Sequence, residues 1–226
     1  MTTSTNRTGF FTAQQRETIE AAMARIIPTD DTPGAREAGT IDFLDRYLSG
    51  VDYIYAKPDG SGFESLEGKR ADAWRRRIET IRERYVEGIE ELDLRSRERF
   101  DADFADLTEG QQDEVLAAIE NPAETEALQA AQVSSGYGGP VEPALQQTNA
   151  EIDLGFLALL ALHTRQGFYA DPIYGGNRDR VGWEVIGFPG PASLAEVHEG
   201  RYSTLDYFAE NRVHPDNTQR ENNDGT

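Results

Sequence analysis

Between His163 and Pro191 the chain reads H-T-R-Q-G-F-Y-A-D-P-I-Y-G-G-N-R-D-R-V-G-W-E-V-I-G-F-P-G-P, and no long helix can run through it. The stretch holds six glycines, three prolines and five aromatics: Phe168, Tyr169, Tyr174, Trp183 and Phe188. Gly167 follows directly on an apolar helical run, where a residue tolerating positive φ can end a helix. Asp171-Pro172 and Tyr174-Gly175-Gly176-Asn177 carry turn chemistry, in which proline presets φ, glycine accepts what other residues cannot, and Asn or Asp bonds nearby amides. A solvated loop has no need of so many rings. Rings with a polar tip are enriched where protein surfaces meet. The segment therefore reads as a docking surface, with a loop packed on the chain's own helices as the alternative.

The rest of the chain is helical in texture. Thr12 and Gln15 form a T-x-x-Q capping box, followed by Ile19, Ala22, Met23, Ile26 and Ile27 on one helical face until Pro28. Ile41, Phe43, Leu44, Tyr47 and Leu48 predict a short amphipathic helix. Trp74, Ile78, Ile81, Tyr85, Ile89 and Leu92 predict one long surface helix, with Phe100, Phe104 and Leu107 continuing its spacing. Arginines 75, 76, 77, 82 and 84, interleaved with Glu79, Glu83 and Glu87, read as its solvated, ion-paired face. A second T-x-x-Q box at Thr108 and Gln111 opens a helix through Ile119 that Asn121-Pro122 ends. A short helix is expected over residues 124–132 and a flexible linker over 133–143. Asn149 to Arg165 is the most apolar helix and belongs at the centre of a domain. A last short helix is expected around Leu194 to His198. The fold class expected is all-α, an irregular helical domain with long aromatic- and glycine-rich loops. Residues 11–208 form that single domain, between a disordered 1–10 and a polar, disordered tail at 209–226. Val51 to Lys69, with four glycines and prolines (Pro58, Gly60, Gly62, Gly68) among Tyr53, Tyr55 and Phe63, reads as a long irregular excursion and a second place for partner contact.

Charge narrows the function. Forty-one acidic residues against 22 basic give a net charge of −19, which argues against nucleic acid and against an anionic membrane surface. Only Lys57 and Lys69 are lysines. A high-salt habitat or a GC-rich genome would each produce that bias. With no cysteine, disulfides, thiolate metal sites, Cys-held iron-sulfur clusters and covalent haem are all excluded. No apolar run is long enough to span a membrane, and Met1 to Gly9 has no signal-peptide character. As written, the chain is expected to stay in the cytoplasm, or to be extracytoplasmic if a signal was removed or a partner carries it.

A catalytic reading would gather His163, Asp171, Asp179 and His198 into an acid-base or metal site. The three histidines of the chain show no H-x-x-x-H or H-x-x-E-H spacing, so no such constellation is expected. Thr29-Asp30-Asp31 reads as a turn rather than a metal site, and the glycines at 136–139 lack the spacing of a phosphate cradle.

The 163–191 stretch, together with I-I-P-T-D-D-T-P-G-A-R-E-A-G at Ile26 to Gly39, resembles the gluconate 2-dehydrogenase subunit 3 family, and between these two blocks the likeness is confined to helical texture and to Phe104 to Leu116, with its D-L-T-x-x-Q-Q-D-E-V-L pattern. These are small non-flavin subunits of sugar and polyol dehydrogenases, and the resemblance spans roughly residues 11–191. It implies a non-catalytic subunit that carries no cofactor itself. Its implied partner is an FAD-containing catalytic subunit of the glucose-methanol-choline oxidoreductase type, and the complex can include a cytochrome subunit. Relatives mostly begin with a twin-arginine signal, which this chain lacks. The residues expected to bind the partner are His163, Phe168, Tyr169, Asp171, Tyr174, Asn177, Asp179, Trp183 and Phe188. Trp183, with the largest area to bury, is the leading anchor, unless it pins the loop to the chain's own helices. A free-standing helical scaffold without a flavin partner is the other reading.

Overall fold

The computed structural model describes residues 9–121 and 151–202. Helix α1 (Ala13–Ile26) starts on the expected capping box, in which the Thr12 hydroxyl accepts from the Gln15 amide at 3.2 Å and the Gln15 side chain accepts from the Thr12 amide at 3.0 Å. Helix α2 (Thr40–Ser49) buries Ile41, Leu44 and Leu48. Helix α3 (Gly68–Phe100) has 33 residues and turns Ile78, Ile81, Tyr85, Ile89 and Leu92 inward. At 1.5 Å per residue it is about 50 Å long and forms the spine of the domain. Helix α4 (Glu109–Ile119) begins on the second capping box, with Thr108 and Gln111 exchanging bonds of 3.0 and 3.4 Å.

Helix α5 (Phe156–Tyr169) lies in the middle of the bundle, with its most extensive packing against α2; the helix expected over Asn149 to Arg165 is interrupted at Leu154 and the extended Gly155, and α5 starts only after them. Helices α6 (Val181–Val185) and α7 (Leu194–His198) are single short turns beyond it. One core joins α1 to α5 around Ile19, Met23, Leu44, Tyr85, Leu92, Phe104, Leu159 and Leu160. Among the described residues there is no strand, only one isolated antiparallel bridge between Ala56 and Phe63. The fold is all-α. No helix among them is long and apolar enough to cross a membrane.

Two local expectations give way to tertiary geometry. The α3 periodicity continues on paper through Phe104 and Leu107, but the helix stops at Phe100 with Asp101 at φ 58°. Asp93, buried within α3, accepts the Phe104 amide at 3.1 Å and fixes the reversal, while burial lifts its carboxyl above the usual range. Gly167 does not end α5. The helix runs on to Tyr169, and Gly167 sits inside it because a side chain there would lie 2.9 Å from Thr40 and 3.1 Å from Phe43 of α2.

The 51–69 excursion has regular anchoring. A 3-10 turn at Val51–Tyr53 leads into bonds from Lys57 to Gly62 (2.8 Å) and from Glu64 to Tyr55 (2.8 Å), above a small apolar cluster of Val51, Leu66, Ala71 and Ile78. Phe10 and Phe11, at the start of the described chain, pack on the main core. The helix expected at 124–132, the linker at 133–143 and the tail from 209 lie outside the described residues.

Candidate functional site: the 163–191 assembly and the polar cluster beneath it

The stretch between His163 and Pro191 closes on α5 through its glycines. A side-chain carbon on Gly176 would stand 2.1 Å from the Gly167 carbonyl oxygen, and one on Gly182 would stand 1.9 Å from that of Phe168. Only hydrogen fits at either contact. Asn177, fully buried and at φ 48°, holds the two sides together: its amide donates to the Ala170 carbonyl at 2.9 Å and its carbonyl accepts from the Gly182 amide at 2.8 Å. Asp179 (φ 55°) and Arg180 (φ 62°) share the left-handed region, which costs non-glycine residues about 1–3 kcal/mol each unless the surroundings impose it.

The two sequence blocks that carry the family resemblance meet here. The Arg178 amide donates to the Ala38 carbonyl at 2.8 Å, and its guanidinium pairs with Asp42 of α2 at 2.8 Å. Arg46 of α2 donates to the Ile173 carbonyl at 2.7 Å. Tyr174 reaches the 51–69 excursion, accepting from the Ala56 amide at 3.3 Å and setting its ring edge on Phe63. Asp171 accepts from the Ile173 amide at 2.9 Å and starts the turn that Pro172 continues.

Trp183 faces inward. It is 6% exposed, donates its indole N–H to the Tyr169 carbonyl at 2.8 Å, meets the edge of Phe188 and has the Arg180 guanidinium over its ring. This is the geometry of a pin holding α6 to the end of α5, and α6 itself gives Trp183 a helical setting that its glycine-rich neighbours did not predict. Phe168, His163 and Asn177 are buried as well. Tyr169 and Asp179 are exposed, and Asp171, Tyr174 and Phe188 are half-buried. The nine residues thus divide into a buried frame and a solvent-facing layer, while His198 is exposed on α7, apart from His163.

His163 belongs to a polar cluster inside the bundle that sequence reading missed. Its Nε2 donates to a Glu151 carboxylate oxygen at 2.5 Å and its Nδ1 accepts from the Tyr85 hydroxyl at 2.8 Å. Glu151 is 5% exposed, pairs with Arg77 and accepts from the Tyr47 hydroxyl at 3.1 Å. Burial and the Arg77 charge lower the His163 pKa to about 3, so the ring is neutral. The Glu151 carboxylate, itself paired with Arg77, acts in the other direction. Burial raises the Tyr47 and Tyr85 phenols above their usual range.

Arg77 is therefore not part of a solvated face. It falls three residues after Trp74 and four before Ile81, on the flank of the apolar stripe, and that position was the signal in the sequence. Arg82 similarly turns back to donate to the Leu48 carbonyl at 2.8 Å. Arg82 also keeps the expected surface pairing, with Glu79 at 3.3 Å, while Arg75 pairs instead with Asp72 at 2.9 Å. Among the described residues no three His, Asp or Glu side chains converge as metal ligands. Asp30 spends its carboxylate on the Thr32 amide and hydroxyl, both at 2.9 Å, as a turn requires.

Comparison with curated proteins and with solved structures found no match. The family model described as gluconate 2-dehydrogenase subunit 3 matches residues 13–190, from the first turn of α1 through the last glycine of the 163–191 assembly, and the chain belongs to that family.

Proposed function

We propose that this chain is the non-catalytic small subunit that binds and steadies an FAD-dependent dehydrogenase of the glucose-methanol-choline type, acting on a sugar, polyol or glycoside. Membership in a family of dehydrogenase subunits supplies the coarser half of that reading, an accessory subunit with a catalytic partner. The flavin in that partner and its carbohydrate substrate are the proposed half. The observation that carries the reading is the family match over residues 13–190, which takes in both resemblance blocks.

The internal chemistry supports an accessory role. Both ring nitrogens of His163 are bonded and the ring is buried, so it has no free site to take a substrate proton. Glu151 is bonded to Arg77, Tyr47 and His163. A group held that way contributes to the fold.

The test is to produce the chain together with the flavin dehydrogenase subunit of the same host and purify through a tag on the small subunit. The expected result is a complex with FAD bound to the larger chain only, and a dehydrogenase that loses thermal stability or yield when produced alone. A flavin spectrum from this chain by itself, or sugar oxidation by the isolated chain, overturns the proposal.

A further inference from the structure

Six large apolar side chains are markedly exposed among the described residues: Leu94, Ile152, Tyr169, Val185, Ile186 and Val197. Four of them lie between positions 169 and 197, on or just beyond the assembly that Asn177 and Trp183 hold rigid. Tyr169 is 40% exposed, Val185 38% and Ile186 55%. Tyr169 and the Val185–Ile186 pair lie on adjoining elements, because the Trp183 indole bonds the Tyr169 carbonyl and α6 carries Val185 directly into Ile186. An apolar patch on a pre-organised frame binds without the cost of ordering a loop.

The charge around the patch indicates what can cover it. Arg178 is neutralised by Asp42 and Arg201 by Glu199, while Arg180 lies over the Trp183 ring and donates to the Ala192 carbonyl at 3.1 Å. Asp179 and Glu184 are exposed with no ion pair among the described residues. With −19 on the whole chain, a second copy would bring like charge to like charge, whereas a basic rim on a different protein would be attracted.

We infer that Tyr169, Val185 and Ile186 are the contact face for an apolar patch with a basic rim on the flavin dehydrogenase subunit. The assignment rests on the function proposed above. Trp183 is then a positioning residue that sets the face from beneath rather than an anchor that enters the partner.

The test uses the purified flavin subunit of the same host and measures affinity for wild type, Ile186→Glu, Val185→Glu and Leu94→Glu, with a thermal melt of each free chain. Ile186→Glu and Val185→Glu are expected to weaken binding by about tenfold or more with unchanged melting, because both side chains already face water. Leu94→Glu, on α3, is expected to bind as wild type does. Raising salt is expected to weaken wild-type binding. Full-strength binding by both α6 variants, or loss of binding only in Leu94→Glu, overturns the surface while leaving the accessory function intact. Binding that salt leaves unchanged or strengthens overturns the basic rim. A wild-type chain that dimerises through Ile186 overturns the choice of occupant. Failure of wild type to bind the flavin subunit at all overturns the proposed function itself.

Discussion

At the scale of single residues, His163 shows how burial converts a titratable group into a structural one. Its folded pKa of about 3 lies below the ordinary value of 6.5, so between those limits the unfolded chain binds a proton that the folded chain refuses. Stability from this residue is whole above pH 6.5 and is lost as pH falls toward 3, at up to about 1.4 kcal/mol per pH unit. Denaturant titrations at pH 6.5 and pH 5, above most carboxylate titrations, are expected to show that loss in wild type. His163→Gln should start less stable but lose less across the same interval; an equal loss in both would remove His163 as the cause. Trp183→Ala deletes a 6% exposed indole and its bond to Tyr169. The expected cost is about 3–5 kcal/mol, a fall in Tm of roughly 6–20 °C for a chain of this size. A Trp183→Ala chain that melts like wild type would show that the indole does not hold α6 in solution.

At the scale of elements, the decisive contacts are those where backbone touches backbone. Helix α6 sits so close to the end of α5 that Gly182→Ala would force a methyl to 1.9 Å from the Phe168 carbonyl oxygen. Overpacking of that kind typically costs about 1–3 kcal/mol, which lowers Tm by several degrees. Gly110→Ala in α4 is the control, since a side-chain carbon there meets nothing within 4 Å. Removing glycine's excess freedom at an unobstructed helical position is expected to leave stability equal or raise it by about 0.5–1 kcal/mol. A paired thermal melt checks both, and equal shifts in the two variants would contradict the close packing of α6.

For the whole molecule, net charge and local pairing oppose one another. Exposed pairs such as Arg95 with Glu91 at 2.7 Å and Arg75 with Asp72 at 2.9 Å each contribute little in water, whereas −19 spread over a chain of 226 residues repels itself. Added salt screens both, and repulsion summed over the surface outweighs the separate pairs, so Tm at neutral pH is expected to rise with sodium chloride. A fall would mean that the ion pairs dominate.

The sequence by itself determined the fold class, both capped helix starts, the body of the central apolar helix and the short helix at Leu194, because capping boxes and apolar periodicity are local signals that later packing only has to accept; the family was legible separately, in the motifs that resemble it. It also marked the 163–191 stretch as the organising element, through a density of glycines, prolines and rings that no long helix accommodates. Only the tertiary structure decided that Arg77 turns inward to Glu151 across some seventy positions of chain, that α3 stops at Phe100, that Gly167 is a contact point inside a helix, and that Trp183 faces the chain's own α5 while Val185 and Ile186 face solvent. Each of these depends on which backbone lies opposite, and a one-dimensional pattern records a residue's size and charge but not the neighbour it will meet.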